Sequence, residues 1–326
     1  MRSIVVHQPG GPQVLTLEEH PIPAARPGWV LVRVRAFGLN HSELVTRKGG
    51  SGDAVSFPRV LGIECAGEVV DDPDGDLRPG QTVVAAMGGM GRAYDGGYEQ
   101  FALLPASQVI PITTNLDWAT LGAIPETFAT AWGSLEQLRL SSGDSLLVRG
   151  GTSSVGMAAI TIAKDRGMTV FATTRQEAKR AALLADGVDQ VIIDDGHVAT
   201  KLRAVAPLGV TGLLELVGPV TMLDSLDALA VGGRACISGF LEGQWDLTDA
   251  RAEARRLGIP LAVYGSNVVN RDSYGGVLQD IVDAVEQGRY RVNLDRTFEM
   301  SEIADAHRYM EENRAAGKVV VVTPDD

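Results

Sequence analysis

The chain is poor in cysteine, has no long hydrophobic run and carries no excess of positive charge. Each shortage narrows what it can be. Cys65 and Cys236 are the only cysteines among 326 residues. They lie far apart in apolar, strand-like segments, and two reduced, buried thiols is a simpler reading than one disulfide. No segment reaches the roughly 18 uninterrupted apolar residues of a membrane helix. The segment from Met1 to His7 runs straight into a strand-like stretch, interrupted by His7 and Pro9. It lacks the apolar core of a secretory signal, so a cytoplasmic location is expected. A formal net charge of −12 repels nucleic-acid phosphates and acidic membrane surfaces, leaving a small molecule as the expected partner.

What is present is ordinary globular composition, 45% hydrophobic and 21% charged, in a chain long enough for two domains. The first third reads as β-rich. Val30, Val32 and Val34 alternate with Leu31, Arg33 and Arg35, the period of a half-buried strand. Asp74-Gly75 and Arg78-Pro79-Gly80 mark turns, and Gly88-Gly89 and Gly96-Gly97 bracket a loop expected to be mobile. After Pro111 the pattern changes. A helical stretch from Asp117 to Leu138, interrupted at Pro125, precedes strands at 145–148, 169–173, 191–193, 213–217, 235–238 and 261–264. Helices at 155–166, 178–185 and 222–229 alternate with them. Gly167 and Gly187 stand just past helix ends, where a left-handed residue is wanted. Short apolar strands alternating with helices predict a doubly wound parallel sheet. The tail adds helices at 276–286 and 302–314 around strands at 296–298 and 318–322. The expected organisation is an α/β domain over 117–267 inserted into a β-rich domain made of 1–116 and 268–326.

The run Leu146-Leu147-Val148-Arg149-Gly150-Gly151-Thr152-Ser153-Ser154-Val155-Gly156 falls at the first strand-to-helix turn of such a sheet. Gly151 and Gly156 occupy the first and last glycine positions of Gly-x-Gly-x-x-Gly, with Ser153 in the middle one. The first glycine permits the tight turn and the last lets the helix pack on the strand. Backbone N–H groups from Thr152 to Val155 then face a pyrophosphate at the helix start. Alone this is a degenerate motif that a plain Gly-Ser loop also matches; within a βαβ unit it points to a dinucleotide. The next strand ends in Thr173-Thr174-Arg175, with Lys179 one turn later and no carboxylate at the tip to hold a ribose 2′-hydroxyl. Glu177 is expected in a capping box with Thr174. Arg175 at a helix N-terminus opposes the dipole, and a 2′-phosphate held by Arg175 and Lys179 would relieve that conflict. Two solvated cations are the competing explanation. NADPH is the expected cofactor.

With these landmarks the chain resembles the medium-chain dehydrogenase/reductase superfamily, and within it the zinc-free quinone oxidoreductase branch. The resemblance rests on Val34 to Asn40, Leu61-Gly62-Ile63-Glu64, Arg78-Pro79-Gly80, the glycine turn, Leu213 to Gly218 and Gly232-Gly233-Arg234. Ala306 to Met310 and Gly317-Lys318-Val319 complete it. It implies a Rossmann domain inserted in a GroES-like catalytic domain, and a homodimer through the sheet edge near Leu261 to Tyr264, an edge that needs a partner. It also implies Asn40 and Thr130 near the nicotinamide ribose, Val217, Gly239 and Phe240 lining the nicotinamide half, and Lys318 among the cofactor contacts.

In the zinc-dependent alcohol dehydrogenases of this superfamily the first ligand motif is Cys-His-Ser-Asp; here it is Asn40-His41-Ser42-Glu43. Their Gly-His-Glu is Gly62-Ile63-Glu64, and the third ligand falls near Ile124-Pro125. Asn and Ile are poor zinc ligands, and a four-cysteine lobe between Ala86 and Gln100 is absent, so no metal is expected. Without a Lewis acid, alcohol oxidation is hard, whereas a quinone or enone spreads incoming charge over its own π system. Among candidate catalytic residues, Ser42 matches a proton-relaying hydroxyl but better fits the N-cap of the helix carrying Arg47. Glu43 and Arg47 either face the cleft or pair with each other. Glu126 either repels acidic substrates or caps the helix after Pro125. His307 reads as a structural helix residue. The expected activity is NADPH-dependent reduction of a quinone; an enone or 2-alkenal reductase, or a non-catalytic NADPH-binding protein, would share these features.

Overall fold

The computed structural model describes residues 1–240 and 246–324. The chain forms two compact units: Met1–Ala129 with Ser266–Gln287 and Leu294–Asp326, and Thr130–Gly265 with Gly288–Asn293. The boundary falls inside the helix Pro125–Leu138.

The first unit is built on two sheets. The larger orders Leu294–Glu299, Lys318–Val322, Trp29–Gly38, Glu64–Asp71, Thr82–Ala86 and Val109–Pro111, with Phe101–Pro105 also paired to Trp29–Gly38. The smaller orders Leu15–Glu19, Arg2–Val6 and Arg59–Val60. Val30, Val32 and Val34 are at most 1% exposed, while Arg35 reaches across the strand pair to Glu68 at 2.7 Å. The short helix Trp118–Gly122 is capped by Asp117, which accepts from the Thr120 N–H at 2.9 Å. It lies so close to Trp29–Gly38 that a Cβ on Gly122 would sit 2.8 Å from the Ala36 Cβ. This packing groups 117–129 with the first unit rather than with the parallel sheet. The loop between Gly88 and Gly97 is packed down, not loose. Met90 is 1% exposed, and a Cβ on Gly96 would fall 2.1 Å from the Gly62 carbonyl oxygen.

The second unit holds a six-stranded sheet ordered Gln190–Ile193, Thr169–Thr174, Ser145–Arg149, Val210–Glu215, Leu229–Ile237 and Leu261–Val263. Every neighbouring pair is parallel. Leu146, Leu147 and Val148 are fully buried, as a central strand with both faces covered requires. Gly167 and Gly187 adopt φ of +76° and +86° and end the helices Ser154–Asp165 and Arg180–Ala185. Helices Val198–Val205 and Thr248–Leu257 were not anticipated; the former spans only eight residues, too short a window for its period to stand out. No described helix is long and apolar enough to cross a membrane.

Candidate functional site

In the second unit the chain leaves Ser145–Arg149 through a tight turn and enters Ser154–Asp165. The left-handed residue of that turn is Gly150, at φ +85°, not Gly151. Gly151 serves close approach: a Cβ there would lie 2.9 Å from the Ala172 Cβ and 3.1 Å from the Thr173 carbonyl oxygen. Gly156 lets the helix pack against the turn, since its Cβ would stand 2.6 Å from the Gly150 oxygen. Ser153 is the N-cap, its Oγ accepting from the Gly156 N–H at 3.1 Å. Thr152, Ser153, Ser154 and Val155 are half-buried, and the first-turn N–H groups of a helix have no partner further back in it. This geometry fits a pyrophosphate cradle, because the space that a Cβ would fill at 151 and 156 is needed for backbone contact.

Thr174 ends its strand and Arg175 is exposed, with Lys179 half-buried a turn on. The capping box expected between Thr174 and Glu177 does not form. Gln176 stands in the cap position of the short helical turn Glu177–Lys179, which carries the Glu177 carboxylate to Arg180 at 2.5 and 3.1 Å. The Thr174 Oγ1 accepts from the Gln176 N–H at 3.2 Å instead.

Two buried charges that the sequence reading missed organise the strand ends. Arg149 is fully buried. It grips Asp194 with Nε and Nη2 at 2.8 and 2.9 Å, and its Nη1 meets Asp224 at 2.7 Å and the Ser225 Oγ at 2.9 Å. Glu215 accepts from the Val217 N–H at 2.8 Å, the Gly218 N–H at 3.3 Å and the Ser225 hydroxyl at 2.6 Å. Burial raises the Glu215 carboxyl, opposed by Ser225 and Arg149. The loop bearing Val217 is thereby fixed. A Cβ on Gly239 would lie 1.9 Å from the Leu216 oxygen, so Val217, Gly239 and Phe240 are brought together. Thr130 is 6% exposed, its carbonyl accepting from Ser134 at 2.6 Å.

In the first unit, the three segments that carry metal ligands in zinc-dependent relatives converge on one carboxylate. Glu64, fully buried, accepts at Oε1 from the Asn40 Nδ2 at 2.9 Å and from the Lys318 Nζ at 2.6 Å. Its Oε2 accepts from the Glu126 N–H at 2.8 Å. Lys318, 2% exposed, also donates to the Asn40 Oδ1 at 2.6 Å. Glu126 accepts from the Ser266 hydroxyl at 3.1 Å. Asn40, Glu126 and Lys318 thus meet around Glu64.

The helix His41–Arg47 hangs from this cluster. Asn40, not Ser42, is its N-cap residue. Glu43 closes the cap by accepting from the Asn40 N–H, and it also accepts from the Ile63 N–H at 2.8 Å. The Ser42 Oγ is buried without a hydrogen-bond partner among the described residues. Glu43 and Arg47 do not pair. Arg47 is fully buried, held by the Gly10 oxygen at 3.1 Å, the His307 Nδ1 at 2.9 Å and Glu311. A group so enclosed does not serve substrate. A guanidinium only donates, so the His307 Nδ1 accepts and its Nε2 carries the proton, directed to the Tyr98 Oη at 3.0 Å. The Tyr98 hydroxyl then turns to Glu43. Burial, then the neighbouring Arg47, lowers His307 to about 3, and burial pushes Glu43 up to about 7.

A metal does not fit this cluster. Asn40, Ile63 and the Ile124-Pro125 segment offer neither thiolate nor imidazole, and a lysine ammonium already lies against the convergent carboxylate. Among the described residues no group of three or more His, Cys, Asp or Glu side chains could hold a metal ion. Cys65 and Cys236 are both buried and unbridged, the latter raised to about 12 by burial.

A six-stranded parallel sheet with a dinucleotide-type turn, in a chain with a GroES-like β-rich unit, defines an oxidoreductase of the dehydrogenase/reductase class. Comparison with known proteins agrees. Residues 26–114 match the alcohol dehydrogenase GroES-like domain and residues 187–321 match the zinc-binding dehydrogenase family. A quinone oxidoreductase of Rattus norvegicus is 27% identical over 314 residues, covering 94% of this chain and 93% of its own. The solved quinone oxidoreductase from Coxiella burnetii superposes with a TM-score of 0.87 at 25% identity, covering 99% of each chain. A solved NAD-dependent alcohol dehydrogenase gives 0.87 at 28% identity, over 99% of this chain and 100% of that one. The chain belongs to the medium-chain dehydrogenase/reductase superfamily, on its quinone oxidoreductase-like branch.

Proposed function

We propose that the chain is a zinc-independent oxidoreductase that transfers a hydride from NADPH to a quinone or a similar electron-poor carbonyl compound. The observation that carries the reading is that Asn40, Ile63 and the Ile124-Pro125 segment stand at the three positions corresponding to the zinc ligands, and none offers a thiolate or an imidazole. With no Lewis acid to stabilise an alkoxide, the supported substrate is one whose own π system takes up the negative charge.

NADPH supplies the hydride. The turn Gly150–Gly156 would hold its pyrophosphate and Arg175 with Lys179 its 2′-phosphate. Asp194, whose N–H bonds the Thr174 oxygen at 2.9 Å, has its carboxylate drawn off by Arg149, which removes a negative charge from the neighbouring strand tip. Val217, Gly239, Phe240 and Thr130 would shape the nicotinamide side, and Asn40 its ribose contact. Glu126 and Ser42 are the remaining polar groups of the reading. Arg47 is left out of it, being a structural anchor. The chain would act in the cytoplasm as a homodimer joined at the edge strand Leu261–Val263, with its two thiols reduced.

The test is to follow loss of reduced-cofactor absorbance against a panel of quinones, enones and aldehydes. Quinones are expected to be turned over fastest. Faster reduction of simple aldehydes, or oxidation of alcohols that requires zinc, would contradict the reading.

A further inference from the structure

We propose that Arg149 determines the choice between NADPH and NADH: by gripping Asp194 it withholds that carboxylate from the strand tip that would receive the 2′-phosphate. It is a positioning residue, acting on the cofactor only through Asp194. The inference deepens the NADPH reading above and rests on it.

Strand register sets the problem. Thr174 pairs with Ile193 in the parallel strands Thr169–Thr174 and Gln190–Ile193, so Arg175 and Asp194 follow as neighbours across the two tips. The Asp194 N–H donates to the Thr174 carbonyl at 2.9 Å, which pins the acid to that place. In dinucleotide folds an acid near this tip favours a free ribose 2′-hydroxyl over a 2′-phosphate. Released beside Arg175, the Asp194 carboxylate would compete for its guanidinium and repel a phosphate.

Arg149 prevents this. Its strand, Ser145–Arg149, lies on the far side of Thr169–Thr174 from Gln190–Ile193, so the guanidinium reaches across the strand that leads to Arg175. Nε and Nη2 meet the two Asp194 oxygens at 2.8 and 2.9 Å, a side-on grip that fixes the plane of the carboxylate as well as its charge. The fork is aimed from behind. Its Nη1 donates to Asp224 at 2.7 Å and to the Thr221 carbonyl at 3.0 Å, and Asp224 is itself fixed by the Val198 N–H at 2.9 Å. Water hardly screens the pair, since the side chains are 0% and 10% exposed. The next residue, Asp195, meets Lys201 at 2.7 Å, but those side chains are 55% and 39% exposed, where an ion pair has little weight. The sealed pair carries the discrimination.

The experiment titrates NADPH and NADH, in a calorimeter, into wild type, R149M, R149M/D194N and K201M. Wild type is expected to bind NADPH at least about tenfold tighter than NADH. R149M releases Asp194, so its preference for NADPH should fall by about tenfold, with the loss on the NADPH side. The double variant removes the released charge and should return the preference to within about threefold of wild type. K201M should shift it by less than about twofold. A purely structural Arg149 would weaken both cofactors alike, and D194N would not repair the loss. An unchanged preference in R149M, a loss that D194N leaves in place, or an equal fall in K201M overturns the proposal. If R149M does not fold, R149K decides: a lysine keeps the charge but cannot bridge both Asp194 oxygens side-on, so the preference should fall about threefold, and an unchanged one overturns the proposal. A wild type that binds NADH as tightly as NADPH overturns the cofactor reading and this inference with it. A wild type that prefers NADPH, with R149M keeping that preference, overturns this inference alone.

Discussion

Glu43 sits in the core beside Glu64, Lys318 and Tyr98 and holds its proton to about pH 7, because burial outweighs the N–H groups of Ile63 and Asn40 that favour its ionised form. In the unfolded chain the same carboxyl ionises near 4.5. Between those values the folded state binds more protons, so the stability this group contributes is full below 4.5 and lost as pH rises through about 7. Urea unfolding of wild type and E43Q at pH 5 and pH 8 should show wild type losing about 2.5 kcal/mol relative to the variant; parallel pH profiles would refute the assignment. Arg175 gives a second prediction. R175A should weaken NADPH binding about tenfold, the loss of one charge-assisted contact, and leave NADH binding within error. Equal losses for both cofactors in fluorescence titrations would mean that Arg175 does not read the 2′-phosphate. The basic strand tip was legible because it depends on adjacent residues. The roles of Ser42 and Glu177 were misread because Ser or Thr followed by an acid marks a cap only if the hydroxyl residue is the one leaving extended geometry. Asn40-x-x-Glu43 carried the same spacing and was the true signal.

At the scale of elements, the helix His41–Arg47 is tied at both ends. Glu43 fixes its start, Arg47 its finish, and Tyr98 with His307 links the two. Phe37 stacks on Tyr98 with ring centroids 4.6 Å apart, so the strand preceding Asn40 is held by the same group. None of this was legible, since Arg47 and His307 are 260 positions apart and no periodicity connects them. The glycine turn was legible as a motif, although which glycine needs left-handed backbone was not. Opposite outcomes are expected for two glycines. G151A must push against Ala172 and should lower NADPH affinity at least about tenfold through a displaced turn. G276A, in the helix Arg271–Glu286 with nothing within 4 Å of its added Cβ, should stabilise the chain by about 0.5–1 kcal/mol. Calorimetric titration and thermal melts check the pair; a G151A chain that binds NADPH normally would remove the turn from the site.

At the scale of the whole molecule, the alternation of short apolar strands with helices was enough to predict the parallel sheet and its edge. The buried charges were not readable. Arg149, Glu215, Glu64 and Lys318 look in sequence like any surface residue, and only strand register places each at a strand end with its counter-ion. The sheet edge Leu261–Val263, where Val263 is 45% exposed, leads to a prediction of assembly: V263K should convert a homodimer to monomers in light scattering, and a wild-type monomer would contradict the edge-to-edge reading. The central claim, a dinucleotide with a 2′-phosphate lying on the turn Gly150–Gly156, is tested most directly by titrating the chain with NADPH and NADH in a calorimeter. The account predicts one NADPH per chain, bound at least about tenfold tighter than NADH. Equal or tighter binding of NADH, or no heat with either, would contradict it.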